Sequence, residues 1–358
     1  MTVKENVCSF DNLYKAMKRC KQNVMWKDSV QGYYKNALVN IHQLRWSLLD
    51  GSYRIDKYTS FKVFEPKERD ILATRFKDRV FQQSGCKNYI YDAITKSFIY
   101  DNCACQKQRG TEHGRKRLDV HMHRFYRKHK TQGYFLKLDI KNYFGSTSHA
   151  VAKAAVAKRV KDEWACQTIF DVIDSYDGDK GLGLGSEMMQ LIELAVLDDI
   201  DHYIKEQLKI KHYIRYMDDM ILIHHSKSYL KKCLGKIKER LSALGLRVNV
   251  KKTQIFPVKQ GVKFLGFKYK LTDSGKVVIT LLKQKRSREK RKLKRLVKRS
   301  QNGKMTRLQV DRCFEGFIAY IGNSKRHVKR CCFKLTNKFK SYYKGLWGEE
   351  TFGLDRNT

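Results

Sequence analysis

The chain has 358 residues and carries 75 lysines and arginines against 36 acids, a net charge of +39. That length supports a core shared by two or three subdomains, and that charge calls for a polyanionic partner, nucleic acid ahead of an anionic membrane surface. No apolar stretch approaches the ~20 residues of a membrane span, and Met1-Thr2-Val3-Lys4-Glu5-Asn6 lacks the apolar core of a signal peptide, so a cytoplasmic, unprocessed protein is expected. The ten cysteines are scattered, with only Cys103/Cys105 and Cys331/Cys332 close together and no Cys-x-x-Cys pair. That pattern reads as reduced, buried thiols rather than structural zinc. Two prolines and little Gly/Ser-rich sequence argue against a long flexible linker.

Residues 9–50 read as helical. Phe10, Leu13, Tyr14 and Met17 recur on one face of an amphipathic helix, and Tyr33, Tyr34, Leu38, Ile41 and Leu44 form a second apolar stripe. Residues 53–64 alternate as strands do, through Tyr53, Ile55, Tyr58, Phe61, Val63 and Phe64, and 70–100 return to helix with Phe76, Val80, Phe81 and Tyr89. Tyr134-Phe135-Leu136-Lys137-Leu138-Asp139-Ile140 is a short apolar run ending in an acid, suited to a buried strand whose end meets a site. Helices over 149–175 and 186–208 follow, then a strand pair around residue 217, a helix over 226–245 and short strands over 246–270. Asp273-Ser274-Gly275 marks a turn. Lys283 to Arg299 then holds 11 basic residues in 17, around a narrow apolar face of Leu293, Leu296 and Val297. Helices over 306–321, packed through Phe314, Phe317, Tyr320 and Ile321, and over 325–346 close the series, before a polar tail from Gly348 that frays.

Tyr216-Met217-Asp218-Asp219 lies between the β-prone runs His212–Arg215 and Met220–Ile223 and reads as the tip of a hairpin. Adjacent carboxylates repel and lose solvation, so stability alone rarely selects them. A divalent cation removes the conflict, because hard cations take carboxylate oxygens, and nucleotidyl transfer uses two such ions ~3.5–4 Å apart. Asp139 is the best partner carboxylate. An acid at a strand end can offer a metal one oxygen and the next backbone carbonyl, although a helix N-cap aspartate reads the same way in isolation. The glycine run Gly181-Leu182-Gly183-Leu184-Gly185-Ser186 opens a helix and permits close approach of an anionic ligand, and a plain loop explains it equally.

Tyr-Met-Asp-Asp in a hairpin downstream of a strand-end acid resembles the two acidic palm motifs of reverse transcriptases, and the similarity runs from fingers to thumb. The resemblance implies an α+β right-hand polymerase: N-terminal helices and fingers over 1–132, a palm with antiparallel sheet over 133–275, a basic helical thumb over 276–347 and a flexible tail over 348–358. It implies an RNA-directed DNA polymerase that takes dNTPs, an RNA template and an RNA–DNA hybrid. Two magnesium ions would serve it, with manganese able to substitute. Asp139, Asp218, Asp219 and the Ile140 carbonyl would be their ligands. The ion held by Asp139 and Asp218 would activate the primer hydroxyl, and the other would hold the triphosphate. Lys252, in Asn249-Val250-Lys251-Lys252-Thr253, matches the lysine that gives pyrophosphate a proton. Phe144 matches the aromatic that packs under the sugar and excludes a 2′-hydroxyl, while Tyr143 reads as core. Lys67 to Arg79 resembles the fingers motif that grips the triphosphate, with Arg69 and Arg75 its contacts. Gln108-Arg109-Gly110-Thr111 resembles a template-contacting loop, and Phe264-Leu265-Gly266-Phe267 the primer grip. The basic run resembles the thumb helix, with Lys285, Arg288, Lys292 and Arg295 on the hybrid. Phosphates would relieve its charge repulsion and release counterions, and the A-form duplex would be read by shape.

In most reverse transcriptases a glutamine precedes the glycine at 185 and touches the incoming nucleotide. Here Leu184 stands in that place, followed by Gly185-Ser186 and ending in Met189-Gln190. This resembles the enzymes of diversity-generating retroelements, whose usual ending is Ser-Gln. It implies error-prone copying of a dedicated RNA, typically with a small basic helical accessory protein. The chain stops soon after the thumb, so a compact enzyme of bacterial type is expected, without ribonuclease H, integrase or endonuclease. Antiphage-defence and retron-type enzymes working with a noncoding RNA share the same core and are the alternative. An inert RNA-binding scaffold is the alternative from another class.

Overall fold

The computed structural model describes residues 1–64, 68–321 and 337. Two compact units emerge: Met1–Arg117 with Leu136–Ile255, and Leu118–Phe135 with the chain from Phe256 onward.

The first unit opens on α1 (Val3–Val7), α2 (Phe10–Cys20), α3 (Asp28–Lys35) and α4 (Ala37–Asp50). Thr2 and Glu5 cap α1 reciprocally, and the Ser9 hydroxyl accepts from Asn12 N–H at the start of α2. Leu13, Ala16 and Met17 pack with Ile41, Leu44 and Leu48 in one apolar cluster. The helical run expected over 9–50 is broken at 21–27, where Asn23 adopts φ +61°.

β1 (Thr59–Val63) and β2 (Arg69–Ala73) form an antiparallel hairpin, with Val63 opposite Arg69. Two expectations fail here. Residues 53–58 are not strand, because Tyr53 Oη and Asp56 N–H donate to the Asp78 carboxylate at 2.6 and 3.2 Å, and this docking replaces a ladder. Residues 70–73 are strand and not helix. The helix begins only at α5 (Phe76–Gly85), which continues through a π turn (Cys86–Ile90) into α6 (Tyr91–Thr95).

α7 (Thr111–His129), which passes into the second unit at Leu118, and β3 (Tyr134–Asp139), which belongs to the first from Leu136, are followed by α8 (Tyr143–Ser146), α9 (His149–Arg159), α10 (Glu163–Asp174), α11 (Glu187–Val196) and α12 (Asp198–His202). The helix expected over 149–175 is thus two. The first ends at Arg159 with Val160 as its C-cap, and Asp162 caps the second, its carboxylate accepting from Ala165 N–H at 2.9 Å. The helix expected over 186–208 breaks at Leu197, and its last turn, Tyr203–Gln207, is π. β4 (His212–Tyr216), β5 (Asp219–His224), α13 (Lys227–Ala243) and β6 (Gln254–Pro257) complete the run. Residues 246–253 hold no strand; Val248 makes only an isolated bridge to Ile140. The sheet order is β4-β5-β3-β6. Phe135, Leu136, Leu138, Tyr213, Ile214 and Met220 through Ile223 are buried in it.

In the second unit β7 (Val262–Phe264), β8 (Phe267–Leu271) and β9 (Val277–Leu281) form an antiparallel meander, followed by α14 (Lys283–Gln301) and α15 (Arg307–Ile321). Leu293, Leu296 and Val297 pack against Val310 and Phe314, the narrow apolar face expected of the basic run. Mixed helices and antiparallel sheets make the α+β class expected. The eight described cysteines are free thiols. Among the described residues no helix is long and apolar enough to cross a membrane. Lys67, Cys331, Cys332, the helix expected over 325–346 apart from Asn337, and the tail from Gly348 lie outside the described residues.

Candidate active site

β3 ends on Asp139, and β5, its neighbour in the sheet, starts on Asp219. Tyr216 and Asp219 face each other across the hairpin, leaving Met217-Asp218 as a two-residue loop. Short hairpin loops need positive φ to match strand twist. Met217 supplies it at φ +54°, a conformation that residues other than glycine seldom adopt. The acidic tip is therefore held in a strained turn, as functional residues often are.

Two lysines hold the acids. Lys137, two residues before Asp139 and so on the same strand face, donates to Asp219 Oδ2 at 3.0 Å. Lys252 Nζ donates to both Asp139 oxygens, at 2.6 and 2.7 Å. Burial, then repulsion from Asp139, pushes the Asp218 carboxyl above its ordinary range, while Lys252 and Arg69 temper the rise. Burial pushes Asp219 up to about 6 despite Lys137. Its side chain is 24% exposed, yet Oδ1 is buried with no hydrogen-bond partner.

Among the described residues no three His, Cys, Asp or Glu side chains gather at metal-ligand distance, and lysines engage oxygens of Asp139 and Asp219. The donor set still fits a hard divalent cation. Asp139 and Asp219 lie at the ends of neighbouring strands with Asp218 in the adjoining loop, and two of the three carboxylates have their charged form disfavoured by burial and mutual repulsion. One buried oxygen lacks a partner. A cation would relieve each of these conflicts.

The other expected residues fall into place unevenly. Ile140 is buried beside Asp139. Phe144 is half-buried on α8, its carbonyl accepting from Leu182 N–H at 2.9 Å, and Tyr143 is core at 4% exposure. Leu184 is half-buried in a turn, and Gly185 adopts φ +119°, with a Cβ there in ordinary contact with Ile71 of β2 at 3.9 Å. Gly183 is obligatory, because a Cβ there would meet the Tyr176 ring at 2.2 Å. Arg69 and Arg75 are exposed, and Arg75 Nε donates to Lys57 O at 3.1 Å. Gln108 is exposed and Arg109 half-buried, donating to Gln106 Oε1 at 2.9 Å and stacking on Tyr100.

In the second unit Leu265 (φ +45°) and Gly266 (φ +87°) form a hairpin turn with Phe264 opposite Phe267. Both central residues at positive φ are the signature of a type I′ turn. Tyr320 Oη donates to Leu265 O at 3.2 Å, and Lys285 donates to Tyr320. Arg288, Lys292 and Arg295 are exposed on α14.

Sequence reasoning missed Lys137, Glu193, Asp201 and Arg215. Glu193 had a signal, standing as the one charge in the apolar run Leu191–Leu197. Its side chain is fully buried, accepts from Thr147 Oγ1 at 3.0 Å and leaves Oε1 unpartnered. Burial pushes its carboxyl up to about 8. A raised carboxyl keeps its proton in the fold after the unfolded chain has lost it, so stability falls as pH rises from about 4.5 through 8. Glu193→Gln should remove that fall. Melting curves at pH 6 and 8 in EDTA should show a smaller drop for the variant than for wild type, and equal drops would refute the assignment.

A model of the reverse transcriptase (RNA-dependent DNA polymerase) family matches residues 79–269. No curated protein matches the chain. Among solved structures, telomerase from Candida albicans in complex with a TWJ fragment of telomeric RNA is 10% identical, with 88% of this chain and 62% of that chain covered and a TM-score of 0.51. Apo telomerase from Candida tropicalis is 13% identical over 86% and 63% of the two chains, TM-score 0.47. Its form truncated from the C-terminal domain is 14% identical over 69% and 60%, TM-score 0.48. The chain therefore spans about three-fifths of the length of these telomerases, and the Candida albicans likeness is one of fold. The family match covers more than half of the chain and takes in Asp139, Asp218, Asp219 and Lys252, so the chain belongs to the reverse transcriptase (RNA-dependent DNA polymerase) family.

Proposed function

We propose that this chain is an RNA-directed DNA polymerase that copies a dedicated RNA into error-prone cDNA in a diversity-generating retroelement. Residues 1–132 act as fingers, 133–275 as palm and 276–347 as thumb. The observation that carries the reading is the placement of Asp139 at the end of β3, Asp218 in the β4–β5 loop and Asp219 at the start of the neighbouring β5, with Met217 at positive φ and the charged forms of Asp218 and Asp219 disfavoured by burial. Asp139, Asp218, Asp219 and the Ile140 carbonyl would hold magnesium. When bound, two such ions supply charge neutralisation and Lewis acidity for attack of a 3′-hydroxyl on a nucleoside triphosphate.

The protein's own groups do the positioning. Arg69 and Arg75 are exposed to meet triphosphate charge. Phe144 lies under the sugar, tied through its carbonyl to the glycine loop that carries Leu184 and Gly185. Lys252, whose side chain is 45% exposed, leaves Asp139 and gives its proton to pyrophosphate. An RNA–DNA hybrid runs against the second unit's turn and α14. A small basic accessory protein shapes the RNA.

The reading is tested by sequencing the nucleic acid made by the purified protein with its co-purifying RNA, magnesium and four dNTPs, beside Asp218→Ala/Asp219→Ala. The expected product is a cDNA matching one RNA, rich in errors opposite a single base, and absent from the control. A faithful or repetitive product would transfer the biology to retron-type or antiphage-defence enzymes. No acid-dependent product would leave an RNA-binding scaffold. An apolar residue at 184 gives up a polar contact to the nucleotide, so Leu184→Gln should lower misincorporation by roughly tenfold, the value of one hydrogen bond at about 1.4 kcal/mol. Equal error spectra would count against low fidelity through Leu184.

A further inference from the structure

Arg215 precedes Tyr216 on β4 and is one of the largest fully buried side chains among the described residues, at 0% exposure. Asp201 of α12, also at 0%, binds it in a fork. Nε lies 2.8 and 2.9 Å from the two carboxylate oxygens, and Nη2 lies 2.5 Å from Oδ2. Tyr213 Oη donates to Asp201 Oδ1 at 2.6 Å and fixes the carboxylate from a third side. Burying two ions is costly, and an apolar pair of similar volume commonly serves a core as well or better. A purely structural position gains little from this charge.

What a guanidinium adds is a rigid plane of five donors. After Asp201 is satisfied, Nη1 reaches the Met217 carbonyl at 3.2 Å and Nη2 the Leu194 carbonyl at 3.1 Å. Met217 is the strained residue at φ +54°, and its carbonyl is the last backbone acceptor before Asp218. Leu194 belongs to α11, the helix that follows the Leu184-Gly185 loop.

We infer that Arg215 is a positioning residue: anchored by Asp201 and Tyr213, it pins the Met217 carbonyl and so sets the direction in which Asp218 and Asp219 leave the turn. It also fixes the hairpin to α11, so the acids and the nucleotide loop move as one body. The inference rests on the polymerase reading of Asp218 and Asp219.

The deciding variant is Arg215→Met/Asp201→Leu/Tyr213→Phe, which removes both charges and the hydroxyl that would lose its acceptor. It is compared with wild type and Asp218→Asn by thermal melting and steady-state primer extension. The expected result is a melting temperature near that of wild type, a kcat lower by about 100-fold, as an ångström of misplacement produces, and a dNTP KM within about twofold. A stable variant with wild-type kcat overturns the inference while leaving the polymerase reading intact. A wild type without Asp218-dependent product overturns both. Should the triple variant not fold, Arg215→Lys decides. It keeps the charge opposite Asp201, but one ammonium cannot span Asp201, Leu194 and Met217 together. Its kcat should fall about tenfold at unchanged KM, and an unchanged kcat overturns the inference.

Discussion

Asp218→Asn is expected to lower polymerisation by roughly 10³-fold or more while raising the melting temperature in EDTA. The activity loss follows from removing a carboxylate that neutralises transition-state charge, an effect of several kcal/mol at about 1.4 kcal/mol per tenfold. The stability gain follows from the raised Asp218 carboxyl, whose charged form is disfavoured first by burial and then by Asp139. Such a group contributes stability below its unfolded pKa and loses it as pH rises, so wild type should fall behind the variant from about pH 4 upward. Magnesium should reverse the order, because a ligand that binds only the folded wild type stabilises it by mass action. Melting curves in EDTA and in magnesium, with primer extension, check all three outcomes. A variant that keeps its activity, or that melts lower than wild type in EDTA, would contradict the assignment of Asp218.

The acidic hairpin was legible because its signals are local: two β-prone runs, a two-residue gap and adjacent carboxylates. Asp139 was legible as a strand-end acid, and α14 from its charge and narrow apolar face. Side-chain partners were not legible. Nothing in the sequence joins Arg215 to Asp201, because their encounter depends on how α12 packs behind β4. Lys137 could be seen as a charge in an apolar strand, but its engagement with Asp219 needs β3 beside β5. The contacts of the Arg109 guanidinium with Tyr100 and Gln106 were likewise not legible. β2 escaped notice at 70–73 because its side chains are exposed or half-buried throughout, so burial imposes no alternation on the sequence. The break at Val160–Asp162 did carry a signal, since Asp162 is a good N-cap residue.

Affinity for an RNA–DNA duplex should fall about 10³-fold or more between 50 and 200 mM salt, as for proteins that neutralise roughly 6–10 phosphates. α14 supplies the charge. It presents Arg288, Lys292 and Arg295 outward at helical spacing, and its one acid, Glu289, is buried. The helix packs through Leu293, Leu296 and Val297, so its basic face cannot turn away from solvent without losing that contact. Lys285 behaves differently. Its ammonium lies 3.7 Å from the centre of the Tyr320 ring and donates to the Tyr320 hydroxyl, which in turn holds the Leu265 carbonyl. A Cβ on Gly266 would meet that hydroxyl at 2.6 Å, so the turn and the helix start are fitted to each other. Arg288→Ala, Lys292→Ala and Arg295→Ala should each reduce the salt slope by about one counterion, uniformly across duplex sequences. Lys285→Ala should instead lower primer-extension kcat through a loosened Leu265-Gly266 turn, with the smaller effect on slope. Fluorescence anisotropy with a labelled hybrid across the salt range separates the two. Affinity that stays flat with salt, or an Arg295→Ala slope identical to wild type, would remove α14 from the duplex interface.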